Sequence, residues 1–408
     1  MANAPESFPA WWMRMHEKPA FLDFANARPD PVVVPTAGRM AGFSTDYVEP
    51  GEQCLMEVCG FHAFDEGLMF YRMLEAFDPY VRAAGSAPGI VDRVLLVISP
   101  TETYVYLNER LPVLGRMRVK RSCKAGQPLL RDDIAGIEEL DFPGIQPPDE
   151  CGLMLLVSAG WRKGMCFDFR ALDPTSGVSA AESYAAAKKI GGMLLAHLWF
   201  TEKFLLLPED WDLILKNGWF PFILLPHGLW EGLFQAIKAG RDTARSEEEI
   251  HKLFLKCCSE RVLSWRANRH FAGHMDFLER AVTAYKAGDW LTVVSVAAPR
   301  VEGLLRQAFG AWGQQGDVFD VFAKDLAGRE HSRSLLFPDR LRQYFEQVFY
   351  RFTKFDQADL PATRHTLVHG LVESSKLTRK EALTLLLLVD HILYCMPESK
   401  QDPPGAEA

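Results

Sequence analysis

At 408 residues, the chain exceeds the roughly 250–300 residues at which one hydrophobic core usually stops growing, so we expect two domains. Apolar residues make up 48% of it and charged residues 24%, a composition that excludes a largely disordered protein. Residues 1–240 carry 22 Lys and Arg against 30 Asp and Glu, whereas residues 241–396 carry 22 against 20. The acidic N-terminal part is a poor attractant for a polyanion, so we expect any contact with nucleic acid in the C-terminal part.

Residues 1–205 are predicted to form an α+β domain with a mixed, mostly antiparallel sheet. Two pairs of β-rich runs support it: 94–99 with 103–107, separated by Pro100, and 153–157 with 165–169, separated by a turn-like segment. Runs joined by such short connections pair antiparallel, because parallel strands need a long crossover.

Helical spacing of apolar residues begins at 183–204. Residues 206–240 are rich in Trp, Phe, Gly and Pro, which predicts a packed crossover with a short helix at 229–239. Residues 241–396 are predicted to be all-helical, and the polar, Pro-containing tail 397–408 to be disordered. The predicted helices of this C-terminal domain cover 246–267, 270–287, 290–311, 337–355, 361–369 and 377–396.

The cysteines and the apolar runs indicate a soluble, cytoplasmic protein. Eight cysteines occur without a C-x-x-C pair, which is typical of reduced thiols in a cytosol-like compartment. The first residues lack the basic start and apolar run of a signal peptide. Leu383–Val389, the longest nearly apolar run, is far shorter than the ~20 residues that span a bilayer, so we expect no membrane contact.

The segment PATRHTLVHG, residues 361–370, is the best candidate for chemistry. Gly370 predicts a defined helix end. On a wheel of about 100° per residue, Arg364 points toward the apolar stripe, and His365 and His369 lie on its flank. A guanidinium at an apolar face cannot lose its charge, so it requires a carboxylate, a phosphate or water.

Two alternatives to catalysis follow from the residues themselves. Glu302 lies at the edge of an apolar helix stripe, so it could hold Arg364 in a purely structural ion pair. The histidine pairs His270/His274 and His365/His369 are each four residues apart, a spacing that suits zinc. No third ligand has convincing spacing, so we expect neither a metal nor another cofactor.

Arg364 and His369, which have four residues between them and are followed by Gly370, match the R-x4-6-H signature of HEPN domains. His365 stands where many members have Asn. Upstream, AYKAGDWLTVVSVAAPRVEGLLR resembles the paired early helices of that family, with Glu302 in its acidic position. Arg245–His251 and Arg269–His274 have similar spacing, but they do not lie in a penultimate helix. Over about residues 260–396, the chain therefore resembles a HEPN helical bundle.

The resemblance implies a metal-independent endoribonuclease that acts as a homodimer, with one motif from each subunit in a shared cleft. His369 would be the general acid/base, Arg364 would stabilise charge on the phosphate, and Glu302 would orient the arginine. His365 would be an auxiliary donor or a substrate contact. RNA is the implied substrate, and an activator or antitoxin is an implied partner, as in toxin and antiviral defence proteins with this module. The alternative is a non-catalytic HEPN-like module for dimerisation or for binding a ligand or RNA.

Overall fold

A computed structural model of the chain describes residues 29–36, 61–64, 74, 77–87, 90–99, 101–124, 127–148, 151–158, 164–169, 180–309, 318–330, 334–351, 363–368 and 371–397. The chain divides into two units. The first comprises Met1–Met117 and Ile137–Trp199, and the second comprises Arg118–Gly136 and Phe200–Ala408. The predicted crossover, residues 206–240, lies within the second unit.

The strands of the described residues form two sheets. They are, in chain order, β1 (Val32–Pro35), β2 (Phe61–Phe64), β3 (Arg93–Ile98), β4 (Glu102–Leu107), β5 (Leu114–Val119), β6 (Ile134–Asp141), β7 (Gly152–Ser158) and β8 (Gly164–Phe169). Six of them make one sheet in the order β1-β4-β3-β7-β8-β2, in which all neighbours pair antiparallel. β5 and β6 make the second sheet. The predicted α+β class with an antiparallel sheet is confirmed.

Helices dominate the second unit. The α-helices of the described residues are α1 (Asp78–Ala83), α2 (Ala180–Trp199), α3 (Thr201–Phe204), α4 (Pro208–Lys216), α5 (His227–Lys238), α6 (Ala244–Ala267), α7 (Met275–Lys286), α8 (Trp290–Ala308), α9 (Val318–Arg329), α10 (Pro338–Tyr344), α11 (Arg364–Val368) and α12 (Arg379–Cys395). A π-helical turn, Phe345–Phe349, follows α10 directly. None of the helices in the described part of the chain has the length and apolar character needed to cross a membrane.

The central strands of the first unit are buried on both faces of the sheet. Successive residues of a strand point to opposite faces, and both Leu95 and Leu96 of β3 are buried. The same holds for Leu155 and Leu156 of β7. Strands covered on both sides read as continuous apolar runs, which is why these two runs stood out in the sequence. The helix α1 packs against β4, and α2 packs against β2, β7 and β8.

Replacement of Gly192 by Ala is expected to lower the free energy of unfolding of the first unit by about 1–3 kcal/mol. A Cβ at this position of α2 would lie 2.7 Å from the Cα of Glu139 and 2.8 Å from the carbonyl oxygen of Glu138, and backbone of this kind cannot rotate away. Urea denaturation measures the loss. Gly232→Ala in α5 is the control, since nothing lies within 4 Å of its Cβ position, and alanine should stabilise that helix by up to ~1 kcal/mol. Equal stability of the Gly192 variant and the wild type would contradict the close approach.

The helical hairpin α7–α8 and the helix α12 form the framework for the candidate site. Gly288 adopts φ +77° in the turn, and the Asp289 side chain accepts a hydrogen bond from the Thr292 N–H at 3.0 Å to start α8. The buried face of α8 includes Val294 and Ala298. Besides α7, this helix contacts α9, α11 and α12.

Several predicted elements differ from the observed ones. The predicted helix 183–204 is interrupted, because Phe200 leaves the helical conformation at φ −122° and buries its ring. The predicted helix 270–287 begins as a 3-10 turn, and 337–355 passes into the π-helical turn. The helices α1, α4 and α9 and the strands β1, β2, β5 and β6 were not predicted. The predicted disordered tail lies outside the described residues from position 398 onward.

Candidate active site

The predicted motif segment begins in α11. Two buried threonines make hydrogen bonds at the N-terminal end of this helix. The backbone N–H of Thr363 donates to the Thr366 hydroxyl at 3.0 Å, and that hydroxyl donates to the Thr363 carbonyl at 3.0 Å. At the other end, the N–H of Leu371 donates to the Thr366 carbonyl at 2.9 Å. These bonds satisfy backbone groups that a helix leaves unpaired at its ends, so the short helix is held in place.

The four predicted site residues are described to different extents. Arg364 is the first residue of α11, but its side chain and the whole of His369 lie outside the described residues, so their predicted roles stay predictions. His365 is half-buried on the same helix. Glu302 lies on α8, which contacts α11. The fold therefore brings the helix with Arg364 against the helix with Glu302.

Glu302 is bonded within its own helix. Its Oε1 accepts a hydrogen bond from Nε of Arg306, one turn further along, at 2.8 Å and lies 2.8 Å from Nη2 of the same guanidinium. Both side chains are largely buried, with exposed fractions of 17% and 23%. Arg306 is therefore one partner of the carboxylate that was predicted as a structural partner for Arg364.

The other two R-x4-6-H matches have histidines that serve packing. His251 Nδ1 lies 2.7 Å from the Tyr285 hydroxyl, and burial lowers the pKa of His251. His274 is buried, its Nε2 lies 3.1 Å from Oε1 of Gln307, and burial lowers the pKa of His274. Arg245 and Arg269, the arginines of these matches, are exposed. Neither match combines both residues at one buried site.

A cavity of about 850 Å³ opens beside α11. Thr363 and Leu367 of the motif segment line it, and Val294 and Ala298 of α8 form an apolar part of its wall. The π-helical turn contributes Glu346, Gln347, Val348 and Phe349 to the lining. Such turns occur often at functional sites, because they interrupt regular packing and redirect side chains.

The charged residues of this cavity balance each other. Its lining contains three cations and three carboxylates, namely Lys216, Arg351, Lys380, Asp212, Glu346 and Glu381. Lys380 is held in position, with Nζ 3.6 Å from Glu247 and 5.7 Å from the centre of the Trp219 ring. Glu381 caps α12 by accepting from the Thr378 N–H at 3.1 Å. A phosphate in this cavity could thus meet a cation, and a nucleobase could meet a hydrogen-bond acceptor. Because the charges balance, the cavity has no general attraction for polyanions.

The sequence analysis missed a buried ionic network in the same unit. Asp390 of α12 is fully buried, and its Oδ1 accepts hydrogen bonds from Arg261 Nε at 2.6 Å and from Trp265 Nε1 at 2.9 Å. Arg261 also donates to the Tyr394 hydroxyl at 2.9 Å. A signal was present, since Asp390 and the adjacent His391 interrupt an apolar run, and a buried charge requires a partner.

Two lysines near this network have depressed pKa values. Burial, together with the charge of Lys203, lowers the pKa of Lys120 to about 7. Burial also lowers the pKa of Lys203 to about 8. Amines of this kind can act as bases or nucleophiles. Neither lysine lines the cavity beside α11, so they are separate from the candidate active site.

Within the described ranges, no three His, Cys, Asp or Glu side chains are grouped so as to hold a metal ion. His270 and His274, which the sequence offered as a zinc pair, are both buried in the 3-10 turn before α7. Comparison of the chain with family models, curated proteins and solved structures gave no match.

Proposed function

We propose that the chain is a metal-independent endoribonuclease of HEPN type, with Arg364 and His369 as its catalytic residues. The observation that carries the proposal is the position of α11: the helix that begins with Arg364 packs against α8 and lines a cavity of about 850 Å³. The proposed arginine and histidine would act on a phosphodiester bound in this cavity, without a metal ion.

The proposed reaction is an intramolecular transesterification of RNA. His369 takes the proton from a ribose 2′-hydroxyl, whose oxygen then attacks the adjacent phosphorus. The bond to the 5′-oxygen of the next nucleotide breaks, and that oxygen takes up the proton that His369 has accepted, giving a 2′,3′-cyclic phosphate, a 5′-hydroxyl and the neutral histidine. Arg364 stabilises the negative charge that develops on the phosphate. A second copy of the chain would supply the other half of the cleft.

A non-catalytic HEPN-like module is the second candidate. The balanced charges of the cavity favour it, because a nuclease that binds RNA mainly through its backbone needs an excess of cations. In either case, the first unit would recognise a trigger, an antitoxin or another partner, as in toxin or antiviral defence proteins.

The catalytic proposal predicts that purified protein cleaves total RNA in EDTA and that Arg364→Ala and His369→Ala each reduce cleavage by at least ~100-fold. Gel electrophoresis measures the rate, and mass spectrometry identifies the cyclic phosphate. Arg245→Ala and Arg269→Ala are the matched controls, since these exposed arginines belong to the other two motif matches and should leave the rate within about twofold.

Two results would contradict the catalytic assignment. If either motif variant cleaves as fast as the wild type, that residue has no role in the chemistry. If the wild type binds RNA and leaves it intact, also in the presence of a cell extract that supplies activators, the binding-module alternative replaces the enzyme.

A further inference from the structure

The cavity beside α11 has the size and lining of a site for one nucleotide. Ligand cavities of small molecules usually measure about 300–1,000 Å³ and combine an apolar wall with few polar groups. Here Val294, Ala298 and Leu385 are buried and supply the apolar wall. Phe349 adds partly exposed aromatic surface, the kind of surface on which nucleobases stack, and the adjacent Tyr344 is buried.

The wall of the cavity is held in place before any ligand binds. The Tyr344 ring packs against Phe220 at 5.5 Å and against Phe222 at 5.6 Å between ring centres. The Thr384 hydroxyl donates to the Lys380 carbonyl within α12 at 3.0 Å. A site that is already ordered loses little conformational entropy on binding.

The polar lining matches the two parts of a nucleotide. Lys216, Arg351 and Lys380 provide cations for one phosphate. Asn217 and Gln347 provide amides that can hydrogen-bond the edge of a base, and the Asn217 amide already donates to the Leu213 carbonyl at 2.9 Å, which fixes its orientation. Because three carboxylates offset the three cations, a chain of phosphates gains little here, whereas one nucleotide meets both donors and acceptors.

We propose that this cavity receives a single unpaired nucleotide of an RNA strand, with its base against the aromatic wall and its phosphate at the basic residues. The inference rests on the proposed function for its ligand class, since Thr363 and Leu367 place the motif helix at the same cavity. The nucleotide would position the neighbouring phosphodiester at α11 and would confer a preference for unpaired sites in the substrate.

The test is binding of a fluorescein-labelled, single-stranded 2′-O-methyl octanucleotide, followed by fluorescence anisotropy with the full chain. The probe has no 2′-hydroxyl nucleophile, so binding is measured without cleavage. Val348→Trp, which fills the cavity, and Lys216→Ala, which removes an exposed cation at it, are each expected to raise Kd by about tenfold or more. Leu263→Trp and Lys256→Ala on the exposed face of α6 are the matched controls and should change Kd by less than about twofold.

The outcomes separate this inference from the catalytic proposal. Binding that depends on the cavity in a protein that cleaves nothing supports the nucleotide site and overturns the nuclease. Cleavage by wild type with an unchanged KM in Val348→Trp and Lys216→Ala overturns the nucleotide site alone. Absence of binding by the wild type, or equal Kd values for Lys216→Ala and Lys256→Ala, also overturns it. Thermal melts identify misfolding of Val348→Trp. If that variant is misfolded, the comparison of Kd between Lys216→Ala and Lys256→Ala decides.

Discussion

Replacement of Asp390 by Ala is expected to lower the free energy of unfolding of the second unit by about 3–5 kcal/mol. The guanidinium of Arg261 is only 2% exposed, and Asp390 is the carboxylate bonded to its Nε at 2.6 Å. Burial of a charge is tolerated because the opposite charge is close, so loss of the carboxylate leaves an uncompensated cation. Trp265 would also lose the acceptor of its indole N–H.

Urea denaturation followed by circular dichroism measures this change, and a double variant gives the decisive control. Arg261→Met with Asp390→Leu removes both charges and keeps apolar volume, so we expect it to recover most of the lost stability. Glu279→Ala breaks the exposed pair with Arg266 and should cost less than about 1 kcal/mol. If the double variant is as unstable as Asp390→Ala, the loss comes from the packing of the side chain and not from its charge.

The helix boundaries that the sequence predicted well are those fixed by local interactions. The start of α12 is one example: the Thr378 side chain accepts from the Lys380 N–H, and Glu381 accepts from the Thr378 N–H, a reciprocal cap that four consecutive residues specify. Gly288 likewise marks the turn between α7 and α8, because its φ of +77° favours a residue without a Cβ.

Elements that depend on distant contacts could not be predicted in this way. α9 is an exception: its buried Phe319, Phe322 and Leu326 follow the i, i+3, i+7 spacing of an amphipathic helix, so this local signal was present and was missed. Phe337 adopts φ +47° before α10, a conformation that is rare for an aromatic residue and that the packing of its ring against Trp211 at 5.4 Å stabilises.

The ion pairs of the second unit also divide into those that follow from local spacing and those that depend on distant contacts. Glu302 and Arg306 are four residues apart, so their pair follows from helix geometry, although the analysis of the sequence considered only Arg364 for Glu302. Asp390 and Arg261 are 129 residues apart, and only the packing of α12 against α6 brings them together. A sequence can indicate that a buried charge needs a partner, but periodicity does not identify which helix supplies it.

Acidification is expected to destabilise the second unit through His391. This histidine is fully buried, its Nδ1 accepts from the Ile223 N–H at 3.1 Å, and its Nε2 lies 3.3 Å from the Leu336 carbonyl, an arrangement that fits the neutral ring. Burial lowers the pKa of His391 to about 3, a net value that includes the opposing effect of the Leu336 hydrogen bond and the smaller lowering by the charges of Lys203 and Lys120.

Because the pKa of His391 is lower in the folded chain than the value of about 6.5 expected after unfolding, the unfolded state binds the proton first. The stability contributed by the neutral ring is complete above about pH 6.5 and is lost as the pH falls from there toward 3. At about 1.4 kcal/mol per pH unit, His391 accounts for a loss of roughly 3 kcal/mol between pH 6.5 and 4.

Urea denaturation at several pH values between 4 and 7.5 tests this dependence, with His391→Gln as the variant. Glutamine offers an acceptor and a donor without titrating, so the slope of stability against pH should be shallower than in the wild type by about one proton per molecule. His251→Gln is the matched control: burial lowers the pKa of His251 as well, but this side chain is only part-buried, so its removal should change the slope less. Parallel profiles for wild type and His391→Gln would mean that His391 takes up its proton equally in the folded and the unfolded chain. The hydrogen bond from Ile223 to a neutral Nδ1 would then not persist at acidic pH.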